Sequence, residues 1–74
     1  MKIEIYSIPS CPYCVKAKGL AERKGHEVIY NMMGEDFQPS DVRTLFPTAR
    51  TFPQIIVDGE KIGGYTELEK LIGQ

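Results

Sequence analysis

Apolar and polar residues alternate over residues 2–6, which is the pattern of a β-strand with one buried face. The residues that follow change to helical spacing, and Pro12 suits the first position of a helix. We predict this helix over residues 12–24, with Gly25 as its stop. Because the short apolar run at residues 28–30 predicts a second strand, this part of the chain is predicted to form a βαβ unit with a right-handed crossover.

The next part of the chain predicts one short helix and a hairpin. Residues 39–46 carry apolar side chains at helical spacing, and Pro47 cannot continue that helix. Residues 54–57 and 61–63 have the composition of strands, and Asp58-Gly59 between them is a strong hairpin signal. The two strands are therefore predicted to pair antiparallel.

The last helix is predicted from its capping residues and its apolar stripe. Thr66 and Glu69 have the spacing of a capping box, in which each side chain bonds the backbone N–H of the other. The stripe consists of Leu68, Leu71 and Ile72. The element order β-α-β-α-β-β-α predicts an α/β fold in which three helices cover a four-stranded mixed sheet. The aromatic residues expected in the core are Tyr6, Tyr30, Phe37 and Phe46.

Composition narrows the functional classes. The 74 residues, 42% of them hydrophobic, suit one small domain over residues 1–74 with a modest core. A formal net charge of −1 gives no reason to expect nucleic acid or an anionic membrane as partner, and no apolar run approaches the ~20 residues of a membrane span. The chain enters a strand at once without a signal-peptide segment, so we expect a cytoplasmic protein whose two cysteines work in a reducing compartment.

The candidate chemistry lies in Cys11-Pro12-Tyr13-Cys14, where the first strand turns into the first helix. With Pro12 at the first helical position, Cys11 is the predicted N-cap, beside free backbone N–H groups and the positive end of the helix dipole. Such a site stabilises a thiolate, which is the form that attacks disulfides. Cys14 lies one turn on along the same face, within reach for a bridge. One thiol is placed to attack and the other to resolve.

Three other interpretations of the cysteine pair are weaker. A structural disulfide across so short a loop would restrain little chain entropy. A zinc site would need four ligands, and His26 is the one histidine or cysteine in the sequence besides the pair. Inert core cysteines would not explain Pro12 between them, which indicates an exposed helix start. A Cys-X-X-Cys near a βαβ pattern favours redox chemistry, and no metal is expected.

At this point the residues resemble a known family. Cys11-Pro12-Tyr13-Cys14 is similar to the motif of dithiol glutaredoxins, and the four residues after it resemble the helix that follows in small bacterial members. Thr51-Phe52-Pro53-Gln54-Ile55 resembles the family's Thr-Val-Pro-Gln segment, and Gly63-Gly64-Tyr65-Thr66-Glu67 its Gly-Gly segment. With three motifs in the right order over nearly the whole chain, it is identified as a dithiol glutaredoxin of the small bacterial or bacteriophage type.

The resemblance implies a thioredoxin fold, with Cys11 as nucleophile and Cys14 as resolving thiol. It implies glutathione as reductant and co-substrate, with no tightly bound cofactor, and a cis Pro53 that faces the cysteines. Glutathione would pair with the backbone of Phe52, and its γ-glutamyl carboxylate would meet the N-terminus of the last helix. The residues expected at glutathione are Tyr13, Thr51, Phe52, Pro53, Gly64, Tyr65 and Thr66. The expected partners of this monomer are glutathionylated and disulfide-containing proteins, ribonucleotide reductase among them.

Two residues depart from the family pattern. Phe52 stands where Val is usual, so its bulkier ring is expected to reshape the cleft. Ile8 stands three residues before the nucleophile, where many members carry Lys or Arg that pairs with a glutathione carboxylate. The candidates for a compensating cation are Arg43 and Arg50, and Lys16, one turn into the first helix, is a candidate for adding positive potential near Cys11.

Two alternative functions remain open. One, which Ile8 and Phe52 leave open, is a redoxin that thioredoxin reductase reduces instead of glutathione. The other is a dimeric, glutathione-ligated iron–sulfur carrier that uses Cys11, although Pro12 and Tyr13 disfavour it because cluster-binding members often have less constrained residues there.

Overall fold

A computed structural model describes residues 1–73, and its helices and strands follow the predicted order. The elements are β1 (Lys2–Ser7), α1 (Pro12–Arg23), β2 (Glu27–Met32), α2 (Pro39–Leu45), β3 (Gln54–Val57), β4 (Glu60–Gly63) and α3 (Tyr65–Ile72). Most predicted bounds agree to within one or two residues. Within the described residues, no helix is long and apolar enough to cross a membrane.

The four strands form one mixed sheet in the order β2-β1-β3-β4. Strand β1 runs parallel to β2 and antiparallel to β3, and β3 runs antiparallel to β4. Asp58 and Gly59 connect the last pair with φ values of 49° and 86°, the left-handed conformation that tight hairpin turns require. This arrangement confirms the mixed sheet and the thioredoxin fold.

One face of the sheet carries the main hydrophobic core. Alternate residues of β1 and β3 point into it, and helices α1 and α3 cover it with their apolar faces. The buried members of this core are Ile3, Ile5, Ala17, Leu20, Ala21, Ile55, Val57, Leu68 and Ile72. Because α1 and α3 lie on the same face, their N-terminal ends are available to one site.

The aromatic residues form a second, smaller cluster. The ring of Tyr6 packs edge-on against Phe37 and against Phe46, with 5.1 Å between centroids in each pair. Burial, with a smaller contribution from the carboxylate of Glu4, raises the pKa of Tyr6. Phe37 and Phe46 are buried and flank α2, whereas α2 itself has no buried residue. The aromatics on either side therefore anchor this helix.

The predicted capping of α3 is wrong. The helix begins at Tyr65 with Gly64 as N-cap, and the N–H of Gly64 donates to Oε1 of Glu67 at 2.7 Å. Thr66 is the second helical residue and is exposed. The helix starts early because Gly63 adopts a φ of 115°, which turns the chain sharply out of β4.

Leu71 also departs from the predicted apolar stripe of α3, since 48% of its surface is exposed. Leu68 and Ile72, one turn apart, already fill the space under this short helix.

Candidate active site

The two cysteines lie where β1 passes into α1, as predicted. Cys11 is the N-cap of α1 with extended backbone angles, and its Sγ accepts a hydrogen bond from the backbone N–H of Cys14 at 3.2 Å. The two sulfur atoms are bonded to each other, with 5.3 Å between the Cα atoms, so the structure represents the oxidised form. The local geometry therefore places a hydrogen-bond donor and the start of a helix beside the sulfur of Cys11.

The two sulfurs differ in access. Cys14, in the first turn of α1, is completely buried, whereas Cys11 is only partly buried. An incoming disulfide can therefore reach Cys11 but not Cys14. Cys14 contacts the sulfur of Cys11 from the buried side.

A second loop, which contains a cis peptide, lies against the cysteines. The Phe52–Pro53 bond is cis, Pro53 is buried, and the carbonyl oxygen of Phe52 lies 3.9 Å from Sγ of Cys11. The sheet explains the approach, because Tyr6 near the end of β1 pairs with Gln54 at the start of β3. The prediction that the bond before Pro53 is cis is confirmed, and the contact with Cys11 in this loop is made by the backbone of Phe52.

A groove of about 300 Å³ runs from the start of α1 to the start of α3, across the loop that contains the cis peptide. Its walls are formed by Tyr13, Thr51, Phe52, Pro53, Gly64, Tyr65, Thr66 and Glu67. The structure thus brings together all seven residues that were expected at glutathione. Their role as ligand contacts stays a prediction.

Glu67 is the member of the groove that the sequence prediction missed. Its carboxylate accepts the N–H of Gly64, and this hydrogen bond lowers the pKa of Glu67. The signal was present in the sequence, since an acidic residue three positions after a glycine N-cap has the spacing of a cap. The spacing of Thr66 and Glu69, which is also that of a cap, obscures this signal in the sequence.

An aromatic pair closes one end of the groove. The rings of Tyr13 on α1 and Tyr65 on α3 lie 5.8 Å apart at an angle of 45°. The ammonium group of Lys16 lies 5.2 Å from the Tyr13 centroid and 5.3 Å from that of Tyr65. These distances are typical of cation–π contacts. The hydroxyl of Tyr65 also donates to Oε2 of Glu69 at 3.3 Å, which ties its ring to α3.

Cys11 itself lines a second, more apolar cleft, whose walls are Ile8, Ser10, Cys11, Pro12, Val15, Tyr30 and Met32. Ile8 therefore belongs to this cleft and not to the groove. The two candidates for a compensating cation, Arg43 and Arg50, are exposed and line neither depression. Lys16, which was expected to add positive potential near Cys11, contacts the groove residues Tyr13 and Tyr65.

His26 lies away from the cysteines. It is partly buried just before β2, and its Nδ1 lies 3.1 Å from the N-terminal amine of Met1. Because β1 and β2 are parallel, their starts meet at the end of the sheet opposite Cys11. In residues 1–73, no group of three or more histidine, cysteine or acidic side chains is placed to hold a metal ion.

Comparison with known proteins adds independent findings. A family model described as glutaredoxin matches residues 3–62. The glutaredoxin of Haemophilus influenzae is 35% identical over 79 residues, which cover 97% of this chain and 91% of that protein. Glutaredoxin 1 of Rickettsia bellii is 40% identical over 75 residues, which cover 93% of this chain and 74% of that protein. The solved structure of oxidised Escherichia coli glutaredoxin superposes with a TM-score of 0.78 at 32% identity, covering 100% of this chain and 95% of the other.

Proposed function

The chain belongs to the glutaredoxin family and is a thiol–disulfide oxidoreductase, and from this premise we propose that it depends on glutathione. In this proposal it reduces glutathione mixed disulfides and protein disulfides. Cys11 is the nucleophile, Cys14 is the resolving thiol, and glutathione is the source of electrons. No tightly bound cofactor takes part.

The observation that carries the proposal is the position of the Phe52 backbone. Its carbonyl oxygen is 3.9 Å from Sγ of Cys11, and the same residue lines the groove. A cysteinyl unit that pairs with this backbone as a short added strand would therefore present its sulfur to Cys11. The α3 terminus at the far side of the groove offers backbone N–H groups and positive potential to a carboxylate.

The proposed reaction with a glutathionylated protein proceeds in two exchanges. The Cys11 thiolate attacks the glutathionyl sulfur, the mixed disulfide breaks, and the protein leaves as a thiolate that takes a proton from solvent. A second glutathione thiolate then attacks the glutathionyl sulfur on Cys11. Oxidised glutathione forms, and the thiolate of Cys11 is restored.

A protein disulfide requires the second cysteine. Attack by Cys11 leaves one target sulfur bound to the enzyme and releases the other as a thiolate. The Cys14 thiolate then attacks the sulfur of Cys11, which releases the target in reduced form and closes the bridge seen in the structure. Two glutathione molecules reopen that bridge and leave as oxidised glutathione. Ribonucleotide reductase is one proposed target of this reaction, which we assign to a monomer in the cytoplasm.

A coupled assay tests the proposal. Reduction of a glutathionylated peptide is followed with glutathione and glutathione reductase, and separately with thioredoxin reductase in place of both. We expect the rate to depend on glutathione and to be negligible with thioredoxin reductase. If thioredoxin reductase supports turnover and added glutathione does not change the rate, the proposal is overturned in favour of the alternative redoxin. A coloured protein after iron-replete expression would favour the iron–sulfur carrier.

A further inference from the structure

The charge of the groove does not match its proposed ligand. Glutathione carries two carboxylates and one ammonium group near neutral pH, so it is a net anion. Among the residues that line the groove, the charged one is Glu67, which is itself acidic. Binding an anion there calls for a positive charge close to the walls, beyond the backbone N–H groups of α3.

Lys16 is placed to supply this charge. Its side chain leaves the first turn and a half of α1, and its ammonium group reaches the rings of both Tyr13 and Tyr65. Since both rings are walls of the groove, a cation held against them lies at the groove's edge. The contacts with two rings restrict a side chain that would otherwise sample many rotamers in solvent.

The other basic candidates do not reach the groove. Ile8, at the position where the resemblance leads one to expect a base, is apolar and lines the apolar cleft. Arg43 on α2 and Arg50 before the cis-proline loop are both exposed and absent from the groove walls.

We propose that Lys16 is a specificity-determining residue, held by Tyr13 and Tyr65 at the edge of the groove, where its ammonium group recognises a carboxylate of the ligand. The proposal rests on the proposed function, because glutathione is the ligand it concerns. The proposal assigns the recognition of the ligand's negative charge to a residue of α1. In this chain the residue at position 8, Ile8, carries no charge and cannot recognise a carboxylate.

The test compares two disulfides of one peptide, one with glutathione and one with uncharged mercaptoethanol. The rate of their cleavage by the reduced enzyme is measured for the unmodified protein and for Lys16→Gln. We expect Lys16→Gln to raise KM for the glutathione disulfide about two- to fivefold, the range of one exposed charge contact. Its kcat and its KM for the uncharged disulfide should stay unchanged. The conservative Lys16→Arg should restore the lower KM.

A matched control is available on the same helix. Lys18 places its ammonium group 5.1 Å from the ring of Tyr30, which does not line the groove, so Lys18→Gln removes an equal charge from a cation–π contact with one ring. We expect it to leave both KM values unchanged. At a salt concentration of about 1 M, the unmodified protein and Lys16→Gln should have the same KM for the glutathione disulfide, because exposed charges are then screened.

The outcomes separate this inference from the function on which it rests. If the unmodified protein prefers the glutathione disulfide and Lys16→Gln keeps the same preference and salt dependence, the role of Lys16 is overturned and the function stands. An equal loss with Lys18→Gln would also overturn it, because general helix charge would then be responsible. An unmodified protein without preference for the glutathione disulfide would overturn both.

Discussion

The sulfur of Cys11 should ionise far more readily in the folded, reduced protein than in the unfolded chain. Two features of the structure favour the thiolate. The N–H of Cys14 points at the sulfur from 3.2 Å, and a hydrogen bond to a charged group contributes about 1.5–3 kcal/mol. The position at the start of α1 adds about 0.3–1 kcal/mol from the helix dipole. Together, about 2–4 kcal/mol corresponds to a thiolate-to-thiol ratio about 30- to 1,000-fold higher than that of a free thiol.

The Cys14→Ser variant isolates this effect, because it leaves Cys11 as the one thiol and retains the backbone N–H of residue 14. The rate of alkylation by iodoacetamide is measured against pH for the folded variant and for the same variant in urea. Since the folded state favours the charged form, the alkylation midpoint of the folded protein should lie at lower pH than that of the unfolded chain. Coincident midpoints would refute the argument from the N-cap geometry.

Further predictions concern the resolving thiol, the cap of α3 and the core. Cys14→Ser should keep most activity toward glutathionylated peptides and lose most reduction of protein disulfides, whereas Cys11→Ser should lose both; the reverse pattern in paired assays would exchange their roles. The lowered pKa of Glu67 means that its hydrogen bond to Gly64 stabilises the fold at neutral pH and ceases to do so as pH falls through that pKa. Urea unfolding should therefore show Glu67→Gln less stable at pH 7, with the difference shrinking in acid; a constant difference would contradict this. Leu68→Ala should cost about 2–5 kcal/mol in urea unfolding, because the side chain is completely buried in the main core, and a cost below about 1 kcal/mol would mean that the core is misassigned.

Local sequence signals predicted the elements of the fold well. Alternation marked β1, the Pro12 and Gly25 boundaries marked α1, and Asp58-Gly59 marked the hairpin, because each depends on the conformational preferences of a few neighbouring residues. The exact start of α3 was not predicted, because the spacing of Thr66 and Glu69 competes with that of Gly64 and Glu67, and the sharp turn at Gly63 favours the second pair.

The site was predictable to different degrees. The N-cap position of Cys11 followed from the residues themselves, whereas the cis Pro53 followed from family resemblance, since sequence alone favours a trans peptide. The contact of Lys16 with Tyr65 could not be foreseen, because it joins two helices that are far apart in the chain. Such tertiary contacts determine the electrostatics of the groove, and no periodicity in the sequence reports them.

Cys11 lines the apolar cleft, and its sulfur lies 3.9 Å from the carbonyl oxygen of Phe52 in the wall of the groove. The central claim is that glutathione occupies the groove and not the apolar cleft. The most direct test is a backbone NMR comparison of Cys14→Ser before and after oxidised glutathione attaches one glutathionyl group to Cys11. We predict that the largest shift changes outside the attachment site fall on Phe52, Gly64 and Thr66. Changes concentrated instead on Ile8, Val15, Tyr30 and Met32 would contradict the account.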